Sequence, residues 1–80
     1  MIRVLYFARL RDLVGVSSEE IAQPPATVAE LIGQLRERGE AWESAFSGMV
    51  LVAVNQEIAD PGTAVSDGDE VGFFPPVTGG

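Results

Sequence analysis

Thr27-Val28-Ala29-Glu30-Leu31-Ile32-Gly33-Gln34-Leu35-Arg36-Glu37-Arg38-Gly39 carries the clearest local signal in the chain. Thr27 followed three residues later by Glu30 matches a capping box, in which a hydroxyl and a carboxylate together satisfy free amides at a helix start. Val28, Leu31, Ile32 and Leu35 recur at i, i+3, i+4 and i+7, so the segment has one apolar stripe. Arg36 and Arg38 suit the negative end of the helix dipole, and Gly39 stops the helix. The spacing predicts one amphipathic helix whose stripe must be laid on another apolar surface.

The flanking segments supply that surface as strands. Upstream, Ile2-Arg3-Val4-Leu5-Tyr6-Phe7-Ala8 is rich in β-branched and aromatic residues. Leu10 to Val14 is one helical turn stopped by Gly15 at a left-handed closing position. A more polar strand follows over Ser18 to Gln23 and ends at Pro24-Pro25, which cannot donate to a ladder. Downstream, a short helix over Ala41 to Phe46 carries Trp42 and Phe46 and breaks at Ser47-Gly48. Met49-Val50-Leu51-Val52-Ala53-Val54 is a continuous apolar run, too short and too β-branched for a helix, and is placed in the middle of a sheet. Asn55-Gln56 reads as a turn and Glu57 to Ala59 as a short edge strand. After a loop through Asp60-Pro61-Gly62 and a turn at Asp67-Gly68-Asp69, Glu70 to Phe74 is the last strand. The order implies an α+β domain over residues 1–76, one main helix packed across a mixed sheet, with residues 77–80 as a flexible tail.

Composition narrows the chemistry. The chain has 80 residues with no Cys and no His, and its five basic residues are all Arg, so the usual nucleophiles, imidazole bases and Schiff-base amines are missing. Cys/His metal sites are excluded with them. Twelve acidic residues give a net charge of −7, which repels phosphate backbones and anionic lipid surfaces. Neither nucleic acid nor membrane is an expected partner. No run approaches the length of a membrane span and no leader is legible after Met1, so the chain reads as cytoplasmic.

Strand parity sorts the sheet faces. Ile2, Val4, Tyr6 and Ala8 share one face, and Arg3, Leu5, Phe7 and Arg9 the other, which the two arginines mark as the solvent side. In the last strand Val71 and Phe73 take the core face, and Gly72 and Phe74 the face of Glu70. Leu5, Phe7 and Phe74 are thus left on the open side, either as a docking patch for a partner protein or beneath loops that fold over them.

The tail holds the remaining chemistry. Pro75-Pro76 bars sheet extension, and the six residues from Pro75 reach roughly 20 Å when extended. Gly79 and Gly80 lack Cβ atoms, so they fit a narrow channel and present the terminal carboxylate unshielded. A carboxylate is inert until ATP converts it to an acyl-adenylate, after which a sulfur nucleophile can displace AMP and leave a thiocarboxylate. In a chain without Cys, a carried sulfur has no other covalent seat.

Residues Asp67 to Gly80, ending Phe73-Phe74-Pro75-Pro76-Val77-Thr78-Gly79-Gly80, resemble the signature end of the molybdopterin synthase small subunits, the MoaD-like sulfur carriers of the ubiquitin-like family. Val4-Leu5-Tyr6-Phe7-Ala8-Arg9-Leu10-Arg11-Asp12 and Ala53-Val54-Asn55 are similar to that family as well, and the resemblance spans the chain. It implies a β-grasp, or ubiquitin-like, fold. It also implies a cycle in which an adenylyltransferase related to the ubiquitin-activating enzymes uses ATP to activate Gly80 and a sulfurtransferase system supplies sulfur. The loaded tail then enters the large subunit of molybdopterin synthase and gives its sulfur to a cyclic pyranopterin for the dithiolene of molybdopterin. By the same resemblance Gly79-Gly80 is the reactive end and Phe7, Arg11 and Phe74 contact the partner. Leu5 lies beside them, and Pro75, Pro76, Val77 and Thr78 enter with the tail. The chain itself is expected to bind no metal or cofactor and to lack a catalytic site of its own. Tyr6 departs from the more usual phenylalanine, which matters little if its hydroxyl finds a partner.

Other readings stay open. The chain could serve thiamine or cysteine synthesis or modify proteins, although Phe73-Phe74-Pro75-Pro76 favours the molybdopterin family over the thiamine carrier. It could be a plain interaction module with an incidental Gly-Gly end. A hydrolase built on Asp67 and Asp69 is disfavoured because both flank a turn glycine, and the same run lacks the spacing of a calcium loop.

Overall fold

The computed structural model describes residues 1–76. The expectations for Val77, Thr78, Gly79 and Gly80 fall outside the described residues. Eight elements follow in order: β1 (Ile2–Tyr6), α1 (Ala8–Val14), β2 (Ser18–Ile21), α2 (Val28–Arg36), α3 (Glu40–Phe46), β3 (Leu51–Val54), β4 (Glu57–Ala59) and β5 (Glu70–Phe74). The five strands form one mixed sheet in the order β2-β1-β5-β3-β4. β1 and β5 run parallel and every other neighbouring pair is antiparallel. This is the β-grasp arrangement, and its last strand is its central one.

Helix α2 forms as its sequence dictates. Thr27 Oγ1 accepts from the Glu30 amide at 3.2 Å, and Glu30 Oε2 accepts from the Ala26 amide at 2.9 Å, one residue before the usual box partner. Its stripe is core: Val28, Leu31 and Leu35 are buried against Ile2, Val4, Val71 and Phe73 of the sheet. Burying each such side chain contributes roughly 1.5–3 kcal/mol relative to exposure. Phe46 of α3 closes this layer, with its ring 5.1 Å from that of Phe73 in an edge-on contact.

Tyr6 is buried with the core, and its hydroxyl donates to Glu19 Oε2 at 2.7 Å. Arg38 binds the same carboxylate through two guanidinium bonds of 2.7 and 2.8 Å and lies 4.6 Å from the centre of the Trp42 ring. Tyr6, Glu19, Arg38 and Trp42 therefore tie β1, β2, the chain after α2, and α3 into one polar seam. Burial, and then the bond to Glu19, push the Tyr6 phenol well above its ordinary range. The Arg38 bonds hold the Glu19 carboxyl below its own.

Two sequence expectations are corrected. β1 ends at Tyr6, so Ala8 and Arg9 belong to α1 and lie on neither sheet face. Phe7 still donates its amide to Phe73 O at 3.0 Å, but Ala8 takes φ 53 and turns the chain out of the strand, while Phe7 O accepts from the Leu10 amide at 3.1 Å. Likewise β3 begins only at Leu51, and Met49 is 74% exposed. β3 is an internal strand, but one of its faces is bare, which leaves Leu51 and Ala53 only half-buried.

Candidate functional site: the open sheet face and the root of the tail

The strand registers place the exposed side chains in rows. Leu5 pairs with Gly72, Gly72 with Ala53, and Ala53 with Ile58, so one row crosses β1, β5, β3 and β4. In the next row Phe74 pairs with Leu51, and Phe7 continues beyond the end of β1. All of these lie on the face opposite α2, because their strand neighbours Val4, Tyr6, Val52, Val71 and Phe73 are the buried ones. Phe7 is 46% exposed, so no loop among the described residues folds over it. Arg3 lies in register between Glu20 and Glu70 and forms the polar border.

Gly72 makes the patch concave. A Cβ at this position would lie 3.1 Å from Phe7 Cε2, so the Phe7 ring rests on bare backbone. Around it Leu5, Phe7, Ala53, Gln56, Gly72 and Phe74, together with Glu70, line a groove of about 310 Å³. Phe74 is half-buried there, and Pro75 and Pro76 follow it directly. A mainly apolar, concave surface of this kind, with one carboxylate in its lining, is suited to receiving a partner's side chains.

Arg11 is exposed on α1, and no ion pair is formed by its guanidinium among the described residues. Asp67 and Asp69 are turn hardware. Asp67 accepts from the Met1 amino group, while Asp69 accepts from Asn55 Nδ2 at 3.0 Å and from the Ser66 amide at 2.8 Å. Those bonds, the Asn55 one foremost, hold the Asp69 carboxyl below its ordinary range. Neither carboxylate faces a cleft with the other as a general acid and base would.

Ile58 is the patch residue that strand parity missed, and it is 74% exposed. The signal was present in the turn. Asn55 and Gln56 have φ 52 and 69, the pair of left-handed residues of a two-residue hairpin, and such a turn fixes Val54 opposite Glu57 and hence Ala53 opposite Ile58.

Comparison with known proteins matches residues 4–80 to the ThiS family. The chain is 44% identical to the molybdopterin synthase sulfur carrier subunit of Escherichia coli and 42% identical to that of Haemophilus influenzae, covering 100% of both chains in each case. The chain belongs to the ThiS family, among its molybdopterin synthase sulfur carrier subunits. Solved structures of this family and its fold agree. Subunit 1 of the molybdopterin converting factor of Pyrococcus furiosus is 37% identical with a TM-score of 0.78, over 95% of this chain and 97% of that one. SAMP1 of Haloferax volcanii is 31% identical with a TM-score of 0.79, over 99% and 98%. A complex of subunits 1 and 2 of the molybdopterin-converting factor of Helicobacter pylori contains a chain 26% identical, with a TM-score of 0.72, over 99% and 97%. Among the described residues no helix is long and apolar enough to cross a membrane.

Proposed function

We propose that the chain is the sulfur carrier of molybdopterin synthesis, docking through its open sheet face and delivering sulfur from Gly80. An adenylyltransferase of the ubiquitin-activating type joins the Gly80 carboxylate to the α-phosphate of ATP, and pyrophosphate leaves. A persulfide of a sulfurtransferase system then attacks the carbonyl carbon through its terminal sulfur and expels AMP, and a thiol cleaves the resulting acyl disulfide, taking up the donor sulfur as a disulfide and leaving a thiocarboxylate. The loaded tail enters the large subunit of molybdopterin synthase, where its sulfur passes to the pterin precursor of the dithiolene. The chain's own part is carriage and positioning. ATP belongs to the activating enzyme, and the work is cytoplasmic. The observation that carries this reading is the full-length match to sulfur carrier subunits, which runs through Gly80.

The test is intact mass after coexpression with the activating and sulfur-transfer proteins. The expected product has one oxygen replaced by sulfur at Gly80. Deleting Gly80, or adding one residue after it, is expected to abolish sulfur transfer with little change in stability, since one residue moves the reactive carbon by about 3.5 Å. Dithiolene formation by either purified variant, with no protease present to trim the extension, would refute the proposal. A second reading, attachment to other proteins, draws on the likeness to SAMP1, known as small archaeal modifier protein 1. Covalent adducts of higher mass in place of the thiocarboxylate would favour it.

A further inference from the structure

A second depression lies at the end of the domain where the tail begins. It has a volume of about 370 Å³ and is lined by Leu10 and Leu13 of α1, Ala45 of α3, Met49 and Pro75-Pro76, with Arg9 at its side. Topology brings these parts together. β1 and β5 are parallel, so α1 and Pro75 leave the same end of the sheet, and the antiparallel β3 starts there with Leu51 opposite Phe74.

Two cations, Arg9 and Arg11, lie on α1 at this end, with Asp12 next to them in the chain. The net charge is −7, Arg36 is engaged by Glu43, Arg38 by Glu19, and Arg3 lies between Glu20 and Glu70. Arg9 and Arg11 are both exposed, and neither is in an ion pair among the described residues. The cleft therefore joins apolar side chains, with Ser44 and Ser47 among them, to a cation that forms no ion pair among the described residues.

We infer that this cleft is a second docking point for the protein that accepts the tail, filled by a partner segment carrying an apolar side chain beside an Asp or Glu that meets Arg9. The inference rests on the sulfur-carrier reading. Four extended residues after Pro76 span at most about 14 Å, so a protein that encloses Gly80 must press its surface against the tail root. The cleft and the sheet groove share no lining residue, but the chain passes directly from one to the other. Phe7 and Phe74 line the groove, and Arg9 and Pro75, one or two residues on, line the cleft. Contact at both places fixes the domain against rotation about the Phe7–Phe74 patch and so aims the tail.

The experiment is calorimetric titration of the purified large subunit with wild type, Arg9→Glu, Arg9→Gln, Ser44→Trp and Phe74→Ala at low and high salt, with thermal melts to check folding. Ser44 is an exposed α3 residue of the cleft, and an indole there fills it. Arg9→Glu is expected to weaken binding at least tenfold at low salt and less at high salt, Arg9→Gln to fall between it and wild type, and Ser44→Trp to weaken binding regardless of salt. A photoreactive residue at Met49 is expected to capture a partner peptide with an acidic residue next to an apolar one. Wild-type affinity for Arg9→Glu and Ser44→Trp overturns the inference. If Phe74→Ala is then weakened, the sheet-face reading stands without the cleft, and if it too binds like wild type, that reading falls as well. Capture of a basic peptide from Met49 also overturns the inference.

Discussion

Replacing Gly72 with alanine separates docking from folding. The new Cβ would stand 3.1 Å from Phe7 Cε2, inside the roughly 3.5–4.0 Å of an ordinary carbon contact, so the ring must lift by several tenths of an ångström. It has room to do so, because Phe7 is 46% exposed. Two effects on stability then oppose each other. Alanine in a strand interior gains roughly 0.5–1 kcal/mol over glycine, whereas lifting a half-buried ring forfeits at most about half of the roughly 1.5–3 kcal/mol that full burial is worth. The net change is expected to stay within about 1 kcal/mol. Docking has no such offset: displacing an aromatic anchor costs about 2 kcal/mol or more, close to thirtyfold in Kd. Equilibrium denaturation and titration against the large subunit read the two quantities separately. Unchanged affinity would show that the partner does not use the Phe7 seat. A stability loss well above 2 kcal/mol would show that the ring belongs to the core.

Phe74→Ala is expected to weaken the same complex by about 2 kcal/mol or more with the fold intact, measured by titration calorimetry; unfolding would mean the core is larger than the buried set suggests. Leu31→Ala should cost roughly 2–5 kcal/mol, read as a fall in the denaturation midpoint, because Leu31 is fully buried between α2 and the sheet. Glu19 has a folded pKa below its unfolded value, so its contribution is present above about pH 4.3 and is lost as pH falls through the folded pKa. Glu19→Gln should therefore flatten the acid limb of stability against pH, and an unchanged limb would place the effect in Asp69 or Glu43 instead.

Signals that act within a few residues were legible in the sequence. Thr27 with Glu30, the Val28–Leu35 stripe, Gly15 as a left-handed stop and the alternation of Ile2, Val4 and Tyr6 all act locally, and the structure follows them. What escaped depends on partners far along the chain. The apolar run from Met49 looks like a doubly covered strand, but its first residue is exposed and its outer face is only half-covered, a difference that hydropathy along the chain cannot show. Ile58 sits in a strand of three residues, too short to show alternation, and only the hairpin register assigns its face. The Tyr6 hydroxyl finds Glu19 and, through it, Arg38, an assembly invisible until β2 and the end of α2 are folded side by side.

The place of β5 has a mechanical consequence. A tail drawn into a partner's channel pulls on a strand hydrogen-bonded to β1 on one side and β3 on the other, along the strand's own axis. Such a pull loads both ladders in shear, so many bonds must yield together, whereas a tail leaving an edge strand would peel away one bond at a time. On the proposed function, strain in an engaged tail would be carried into Val71 and Phe73 at the centre of the domain, where the two flanking ladders resist fraying of β5.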